Sequence, residues 1–212
     1  MIYVILGPTA SGKTYAANKL AEFLDAPIIN ADAFQIYKDM DIGTNKITKD
    51  DKSYSRYLLI DIVSPDKSYS VKEYQTDFRK IDLSKYKDVV ICGGTGLYIR
   101  AALFDYEFPE TSSNEEYLDK SNEELYSLLK NLDYETSLKI HPNNRKRVVR
   151  ALNLINDTNK KKSEIINEQS HSLIYKDVKF LFINPDRASL YEKINERAED
   201  MFALGLVDEV KS

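Results

Sequence analysis

The segment that most constrains the fold is GPTASGKT at residues 7–14, which directly follows the apolar run IYVIL. It fits the pattern G-x-x-x-x-G-K-[ST] through Gly7, Gly12, Lys13 and Thr14. With a strand before it and a helix after it, such a loop turns backbone N–H groups and the helix dipole toward an anion. The sequence therefore predicts a loop that binds a pyrophosphate-like ligand, and it leaves the reaction open. A plain strand-to-helix turn with an incidental lysine is the competing interpretation.

Apolar runs and helical periodicity continue along the chain. The predicted strands are residues 2–6, 26–29, 57–63, 88–92 and 178–183. The predicted helices between them are residues 14–24, 71–83 and 188–210. Their apolar positions are Tyr15, Ala16, Leu20 and Phe23 in the first helix and Val71, Tyr74, Phe78 and Ile81 in the second. Strands that alternate with helices predict an α/β fold, a P-loop NTPase-like parallel sheet covered by helices.

The character of the sequence changes near Pro109. Residues 110–175 carry little strand signal, and we predict that they form a helical insertion domain in a core domain made of residues 1–109 and 176–212. Residues 107–124 hold seven acidic side chains, whereas residues 138–162 hold eight lysines or arginines and one acid, Asp157. The basic half of the insertion is thus a candidate nucleic-acid surface.

Composition excludes several classes of protein. The formal net charge is −4, so a polyanion-binding surface would have to be local. Cys92 is the single cysteine, so no internal disulfide is possible, and its apolar surroundings predict a buried strand thiol. With two histidines, a zinc site is not expected. We expect neither a signal peptide nor a membrane-spanning helix.

Two polar residues follow predicted strands, at the edge of a parallel sheet where ligands bind. Asp32, in NADAFQIY, could accept a proton, or it could cap a helix or close a turn. Thr95, in GGTGLY, offers a hydroxyl to a ligand, or it could cap the next helix. The spacing alone favours the structural roles.

A basic helix is predicted after His141-Pro142, with Asn143 or Asn144 as its cap. Its apolar positions are Val148, Leu152 and Ile155. Arg147 and Arg150 are three residues apart and share one face, which could grip phosphates or simply be solvated.

Taken together, these segments resemble the tRNA dimethylallyltransferases, also called tRNA isopentenyltransferases. The matching stretches are GPTASGKT (7–14), NADAFQIYKDMDIGTNK (30–46), LIDIVSPDKSYSV (59–71), GGTGLYI (93–99), HPNNRKRVVRAL (141–152) and, more loosely, residues 185–210. They occur in the family's order and at roughly its spacing.

The resemblance implies that the loop holds dimethylallyl diphosphate through Gly7, Pro8, Thr9, Ala10, Ser11, Gly12, Lys13 and Thr14. It implies magnesium as a cofactor, held by Thr14. Asp32 and Thr95 match catalytic residues, with Asp32 taking a proton from the exocyclic amine of the adenine beside the anticodon of tRNA. The base would be flipped out of its stack and would meet the prenyl donor in a channel.

The resemblance also implies two sets of tRNA contacts. The first set is Asp32, Ala33, Phe34, Gln35 and Thr95, and the second is Lys146, Arg147, Val148, Val149 and Arg150. The implied partners are dimethylallyl diphosphate and tRNA, without a membrane, and we expect a cytoplasmic monomer.

The sequence departs from the family pattern at several places. Ala33 stands where the family usually has serine, Tyr57 and Leu58 replace a His-His pair, and Asn159 replaces a common glycine. Family members usually run about a hundred residues further, with a basic, tryptophan-containing segment, and this chain has no tryptophan. We therefore expect the lobe that embraces tRNA to be incomplete.

Three other functions fit parts of the pattern. A prenyltransferase for free adenine nucleotides would share the loop and Asp32, although the basic insertion argues against it. A small-molecule or nucleoside kinase would use the same loop for ATP. A non-catalytic tRNA-binding remnant would not depend on Asp32.

Overall fold

The computed structural model describes residues 1–109, 117–169 and 171–211. The chain divides into two compact units. Unit 1 comprises Met1–Phe104 and Leu173–Ser212, and unit 2 comprises Asp105–Ser172. Unit 1 is closed where the chain leaves and re-enters it, because Phe104 and Leu173 form an antiparallel bridge. The part of the predicted acidic segment at residues 110–116 lies outside the described residues.

Unit 1 is built on a parallel sheet. Its strands are β1 (Ile2–Leu6), β2 (Ile28–Asn30), β3 (Tyr57–Leu58), β4 (Val89–Cys92) and β5 (Val178–Phe182). Among the described residues they lie in the order β3-β2-β4-β1-β5, and every pairing is parallel. Each residue of β4 is buried, which is typical of a strand covered on both faces. The predicted α/β fold is confirmed.

The helices follow the predicted alternation. In chain order they are α1 (Lys13–Leu24), α2 (Val71–Lys80), α3 (Gly96–Leu103), α4 (Asn122–Leu132), α5 (Tyr134–Leu138), α6 (Arg145–Thr158), α7 (Lys162–Glu168), α8 (Arg187–Ala203) and α9 (Leu206–Lys211). Short 3-10 turns lie at Tyr54–Arg56 and Leu83–Lys85. In the described part of the chain, no helix is long and apolar enough to cross a membrane.

Helix α1 is present, but only half of its predicted apolar face is correct: Ala16 and Leu20 pack against the core, whereas Tyr15 and Phe23 do not. Tyr15 and Phe23 are 71% and 85% exposed. The helix instead buries Ala17 and Ala21, one turn apart, against Ile28 and Val90 of the sheet. Two small residues on one face let the helix pack closely against the strands, and the large aromatic side chains are left on the outer face.

Helix α2 shows how sequence signals agree with one another. Ser70 and Glu73 form a capping box at its start, and Val71, Tyr74 and Phe78 are buried as predicted. The Tyr74 ring stacks on Tyr98 of α3, with centroids 4.1 Å apart. The Tyr74 hydroxyl donates a hydrogen bond to the carbonyl oxygen of Asn30 at the end of β2 (2.9 Å). This contact ties the helix layer to the sheet edge where Asp32 follows.

Three predicted elements differ in extent for backbone reasons. The predicted helix at residues 71–83 ends at Lys80, because Ile81 takes an extended conformation. The predicted strand at residues 57–63 is reduced to Tyr57–Leu58, because Leu59 and Asp61 take positive φ angles of 58° and 53°. The predicted helix at residues 188–210 is divided into α8 and α9 at Gly205, whose φ is 98°.

Strand β5 and helix α8 leave large side chains exposed, among them Phe180, Phe182 and Phe202.

Unit 2 is helical, with its own apolar core. Leu125 and Leu129 of α4 pack against Val148 and Leu152 of α6 in one cluster. Asn144 caps α6, as predicted, by accepting a hydrogen bond from the backbone N–H of Arg147 (3.3 Å). The helix ends at Asn159, whose φ of 53° is the left-handed conformation that asparagine tolerates better than most residues.

A buried carboxylate joins three segments of unit 2. The side chain of Asp133 accepts four hydrogen bonds, from the backbone N–H and the hydroxyl of Thr136 and from the backbone N–H and the hydroxyl of Ser163, at 2.6–3.1 Å. Burial by itself raises the pKa of Asp133, but these hydrogen bonds outweigh it and hold the pKa below its ordinary value.

Replacing Asp133 with alanine is expected to lower the free energy of unfolding by about 2–4 kcal/mol, because four buried donors lose their acceptor. The carboxylate stabilises the fold most fully above its unfolded pKa of about 3.9, and this contribution falls as the pH drops through the lower folded value. Urea unfolding of the full chain measures both effects. The exposed Asp119→Ala variant serves as the control and should change stability by less than about 0.5 kcal/mol. Equal stability of the two variants would contradict the role of Asp133.

Candidate active site

The loop of residues 7–14, here called the phosphate loop, is shaped by two glycines. Gly12 has a φ of 88° at the start of α1, a conformation that disfavours a side chain. At Gly7, a Cβ atom would lie 2.5 Å from the carbonyl oxygen of Ile183, so only glycine fits against the chain that leaves β5. The strand-loop-helix arrangement predicted for the phosphate loop is therefore present.

Lys13 lies at the first position of α1, and its Nζ donates a hydrogen bond to the carbonyl oxygen of Pro8 within the loop. Burial lowers the pKa of Lys13, and the nearby Asp32 carboxylate opposes that shift. An anion bound in the loop would add a further negative charge and hold the lysine protonated.

A buried hydroxyl in the phosphate loop lacks a protein partner. Ser11 Oγ is sealed from solvent and makes no hydrogen bond to a described residue. Buried hydroxyls are normally paired, so Ser11 Oγ is a polar atom of the loop whose partner no described residue supplies.

Asp32 follows β2 in a turn held from several sides. The side chain of Asn30 accepts a hydrogen bond from the Asp32 backbone N–H (3.1 Å) and donates to the carbonyl oxygens of Asp32 and Leu59. Asp32 Oδ1 accepts from the backbone N–H of Phe34 (2.9 Å), which is the turn role considered for it. This bond uses one carboxylate oxygen, and Oδ2 makes no hydrogen bond to the described residues.

Thr95 holds this turn from the neighbouring strand end. It precedes α3 but its side chain does not cap that helix. Its Oγ1 instead accepts a hydrogen bond from the backbone N–H of Ala33 (3.1 Å). The two strand ends lie very close, since a Cβ on Gly93 would approach the backbone of Ala31 to 2.2 Å. Thr95 thus contacts the turn that carries Asp32 through the backbone of Ala33 and not through the Asp32 side chain.

Two cavities meet at Asp32. The first, of about 370 Å³, is lined by residues 9–14 of the phosphate loop together with Asp32, Gln35, Cys92 and Arg197. The second, of about 940 Å³, is lined by Phe34, Met40, Pro65 and Leu206 among others. Both include Thr9, Asp32, Thr44 and Arg197. The arrangement offers two adjoining compartments with a carboxylate at their boundary.

Cys92 lines the first cavity, but its thiol is not expected to be reactive. Its thiol is buried, as predicted, and burial raises its pKa to about 12, so it stays protonated at neutral pH. Within residues 1–109, 117–169 and 171–211, no three His, Cys, Asp or Glu side chains come together as a metal site.

The basic helix α6 of unit 2 exposes Lys146, Arg147 and Arg150. Val148 is 1% exposed and belongs to the core of the unit, so its inclusion among the nucleic-acid contacts is corrected. Val149 is partly buried against the same core. Val148 and Leu152 are four positions apart on the helix, so both face the core. A contiguous stretch such as residues 146–150 therefore includes a core residue together with the exposed ones.

Comparison with known proteins decides the family. The model for the IPP transferase family matches residues 35–212. The chain belongs to the IPP transferase family. The tRNA dimethylallyltransferase of Anoxybacillus flavithermus is 41% identical over 217 residues, which cover 99% of this chain and 70% of that protein. The enzyme of that name from Bacillus licheniformis is 41% identical over 222 residues, with the same coverage.

Solved structures agree with this placement. The tRNA isopentenylpyrophosphate transferase of Staphylococcus epidermidis is 36% identical with a TM-score of 0.64, over 99% of this chain and 72% of that one. A eukaryotic dimethylallyltransferase, described as acting on tRNA, is 28% identical with a TM-score of 0.84, over 99% of this chain and 55% of that one. The predicted resemblance to this family is confirmed.

Arg197 was not identified as a site residue from the sequence. Arg197 of α8 lines both cavities, far along the chain from the phosphate loop and Asp32. Burial lowers its pKa, while the Asp32 carboxylate opposes the shift. Lys193 lies one turn earlier and lines the first cavity as well. A spacing of four between two basic residues in α8 was the available signal, and it is too common to single them out.

The departure at Ala33 leaves the turn intact. The family's usual serine would add a hydroxyl, but the fixed contact here is the backbone N–H of Ala33, which any residue except proline supplies. The other predicted contacts of this segment lie at the cavities, Gln35 at the first and Phe34, 64% exposed, at the second.

Proposed function

We propose that this IPP transferase family member transfers the dimethylallyl group of dimethylallyl diphosphate to the exocyclic amine of the adenine beside the anticodon in tRNA. The observation that carries the proposal is the position of Asp32, on the boundary between a phosphate-loop cavity and a second cavity. In a kinase, the reacting phosphorus of the phosphoryl donor would have to lie at this boundary, beside Asp32. A prenyl diphosphate instead places a carbon at the boundary, and the names of the relatives support that choice.

The diphosphate is assigned to the phosphate loop. Backbone N–H groups of the loop and the start of α1 face the anion, and Lys13 adds a positive charge. Ser11 Oγ, which has no hydrogen-bond partner among the described residues, is assigned as a donor to a phosphate oxygen. Arg197 lies at the same cavity, so charge on the departing diphosphate is met from two elements.

A magnesium ion at this site would be shared between the protein and the diphosphate. Thr14 lines the cavity at the start of α1, and its hydroxyl is the protein ligand that we assign. Mg²⁺ commonly keeps several waters and takes substrate phosphate oxygens rather than an all-protein cage, which agrees with the lack of an acidic cluster among the described residues. When bound, it would neutralise charge on the diphosphate.

The acceptor side belongs to Asp32 and its neighbours. The adenine amine is a weak nucleophile, so a carboxylate placed to accept its proton favours attack. The amine nitrogen bonds to the first carbon of the prenyl group, the carbon–oxygen bond to the diphosphate breaks, and Asp32 takes the proton. A base flipped from its stack can reach the second cavity, where the exposed ring of Phe34 offers a stacking surface.

The body of tRNA is assigned to α6. Replacing Lys146 or Arg150 with alanine should weaken tRNA binding about three- to tenfold and reduce the slope of affinity against salt by about one, because one phosphate contact is lost. Filter binding at several salt concentrations measures both quantities. Lys130→Ala, an exposed lysine of α4, is the control and should leave the slope unchanged. An unchanged slope in both α6 variants would refute the phosphate contacts.

A labelled-donor assay tests the proposal. The protein is incubated with labelled dimethylallyl diphosphate and either unmodified tRNA or AMP. We expect label in tRNA, whereas exclusive labelling of AMP would show a free-nucleotide prenyltransferase.

With tRNA as its substrate, the enzyme is proposed to be cytoplasmic, and we propose that it acts as a monomer.

A further inference from the structure

A single carboxylate organises the loop beside the candidate active site. Glu209 of α9 accepts hydrogen bonds from three consecutive backbone N–H groups, those of Asp41 (2.8 Å), Ile42 (2.7 Å) and Gly43 (2.9 Å). Burial by itself raises the pKa of Glu209, but the three hydrogen bonds outweigh it and hold the pKa below its ordinary value. The side chain is therefore ionised at neutral pH and binds this segment as an anion in a backbone nest.

The segment that Glu209 holds is rigid on its other side as well. Lys46 is buried and its Nζ donates to the carbonyl oxygen of Tyr37 and to the carboxylates of Asp41 and Asp61. At Gly43, a Cβ would lie 3.1 Å from Leu206 of α9, so the segment approaches the helix closely. Residues 41–46, here called the clamped loop, are thus held by Glu209 at one end and by Lys46 at the other.

The clamped loop fixes the orientation of Gln35. Gln35 Nε2 donates hydrogen bonds to the carbonyl oxygens of Thr44 (3.1 Å) and Asn45 (3.4 Å). Two carbonyls can be met only by the amide nitrogen, so the opposite orientation of the amide is excluded. Oε1 is the remaining polar atom, and it makes no hydrogen bond within the described residues. All three residues line the first cavity with Asp32, and Thr44 and Asp32 also line the second cavity, to which the base is assigned.

We propose that Glu209 is a positioning residue that acts through the clamped loop to orient Gln35, so that Gln35 presents an acceptor oxygen to an N–H of the nucleobase to be modified. This inference rests on the proposed function, since a base with an exocyclic amino group supplies the matching donor. Glu209 lines the second cavity, but both of its carboxylate oxygens accept hydrogen bonds from the backbone N–H groups of residues 41–43, so we assign it no contact with either substrate. Its effect should therefore fall on use of the acceptor and not on binding of the prenyl donor.

The test is a double-mutant cycle in the full chain. Glu209→Gln keeps the size of the side chain but turns an NH₂ group toward backbone donors, and kcat/KM for tRNA should fall about tenfold with the KM for dimethylallyl diphosphate unchanged. Gln35→Glu cannot donate to the Thr44 and Asn45 carbonyls, and it should cost about as much without altering Glu209. In the Gln35→Glu background, Glu209→Gln should cost less than about twofold more.

Asp208→Asn is the matched control, since Asp208 is exposed on the same helix and should retain full kcat/KM. Multiplicative losses in the cycle, or an equal rise in the KM for the donor, would overturn the inference while leaving the proposed function standing. Absence of transfer by the unaltered protein would overturn the proposed function and this inference together.

Discussion

Replacing Asp32 with asparagine is expected to lower the rate of prenyl transfer to tRNA by about 10²–10⁴-fold, the usual contribution of a positioned general base. The asparagine side chain keeps an oxygen for the backbone N–H of Phe34, so the turn that Asp32 Oδ1 closes should survive. What disappears is the carboxylate that accepts the proton of the amine. Single-turnover transfer of labelled donor measures the loss.

Donor binding distinguishes this chemical effect from a damaged site. Dimethylallyl diphosphate should raise the melting temperature of Asp32→Asn as much as that of the unaltered protein, because the phosphate loop is untouched. Asp66→Asn, an exposed carboxylate of the same unit, is the control and should transfer at the normal rate. Near-normal transfer by Asp32→Asn would contradict the general-base role of Asp32, whereas no transfer by either protein would support a non-catalytic tRNA-binding protein.

Replacing Lys13 with alanine is expected to reduce kcat/KM for dimethylallyl diphosphate by about a hundredfold or more, because charge developing on the departing diphosphate loses its nearest cation. The lysine is half-buried among loop residues, so solvent screens its charge little. Steady-state kinetics with the donor varied measures the effect. Lys19→Ala is the control, since Lys19 is exposed on the same helix and pairs with Glu22.

The same pair of proteins distinguishes a prenyl donor from ATP. At equal concentration, dimethylallyl diphosphate should raise the melting temperature of the unaltered protein more than ATP does, and Lys13→Ala should lose that rise. A large rise with ATP and none with the prenyl diphosphate would favour a kinase.

Local signals that involve neighbouring residues were readable from the sequence. The phosphate loop, β1, the buried face of α2 and the cap of α6 all depend on residues within a few positions of one another. The apolar face of α1 was predicted only in part, because large aromatic residues dominate a periodicity count, whereas a sheet can select the small ones. Val148 was wrongly included among the nucleic-acid contacts, because successive residues of a helix point in different directions and Val148 points into the core.

Contacts between distant segments could not be predicted. Arg197 reaches the first cavity from the end of the chain opposite to the phosphate loop. Glu209 meets Asp41, Ile42 and Gly43 across more than 160 positions. The donors in that contact are backbone N–H groups, which leave no trace in residue type except at Gly43, where a side chain would crowd α9.

The central claim is tested most directly by nucleoside analysis of unmodified tRNA after incubation with the protein and dimethylallyl diphosphate. We expect adenosine carrying one dimethylallyl group, located beside the anticodon. In tRNA in which that adenosine is replaced by uridine, which has no exocyclic amine, we expect none. Modification of the replaced tRNA to the same extent, or transfer to AMP alone, would contradict the account.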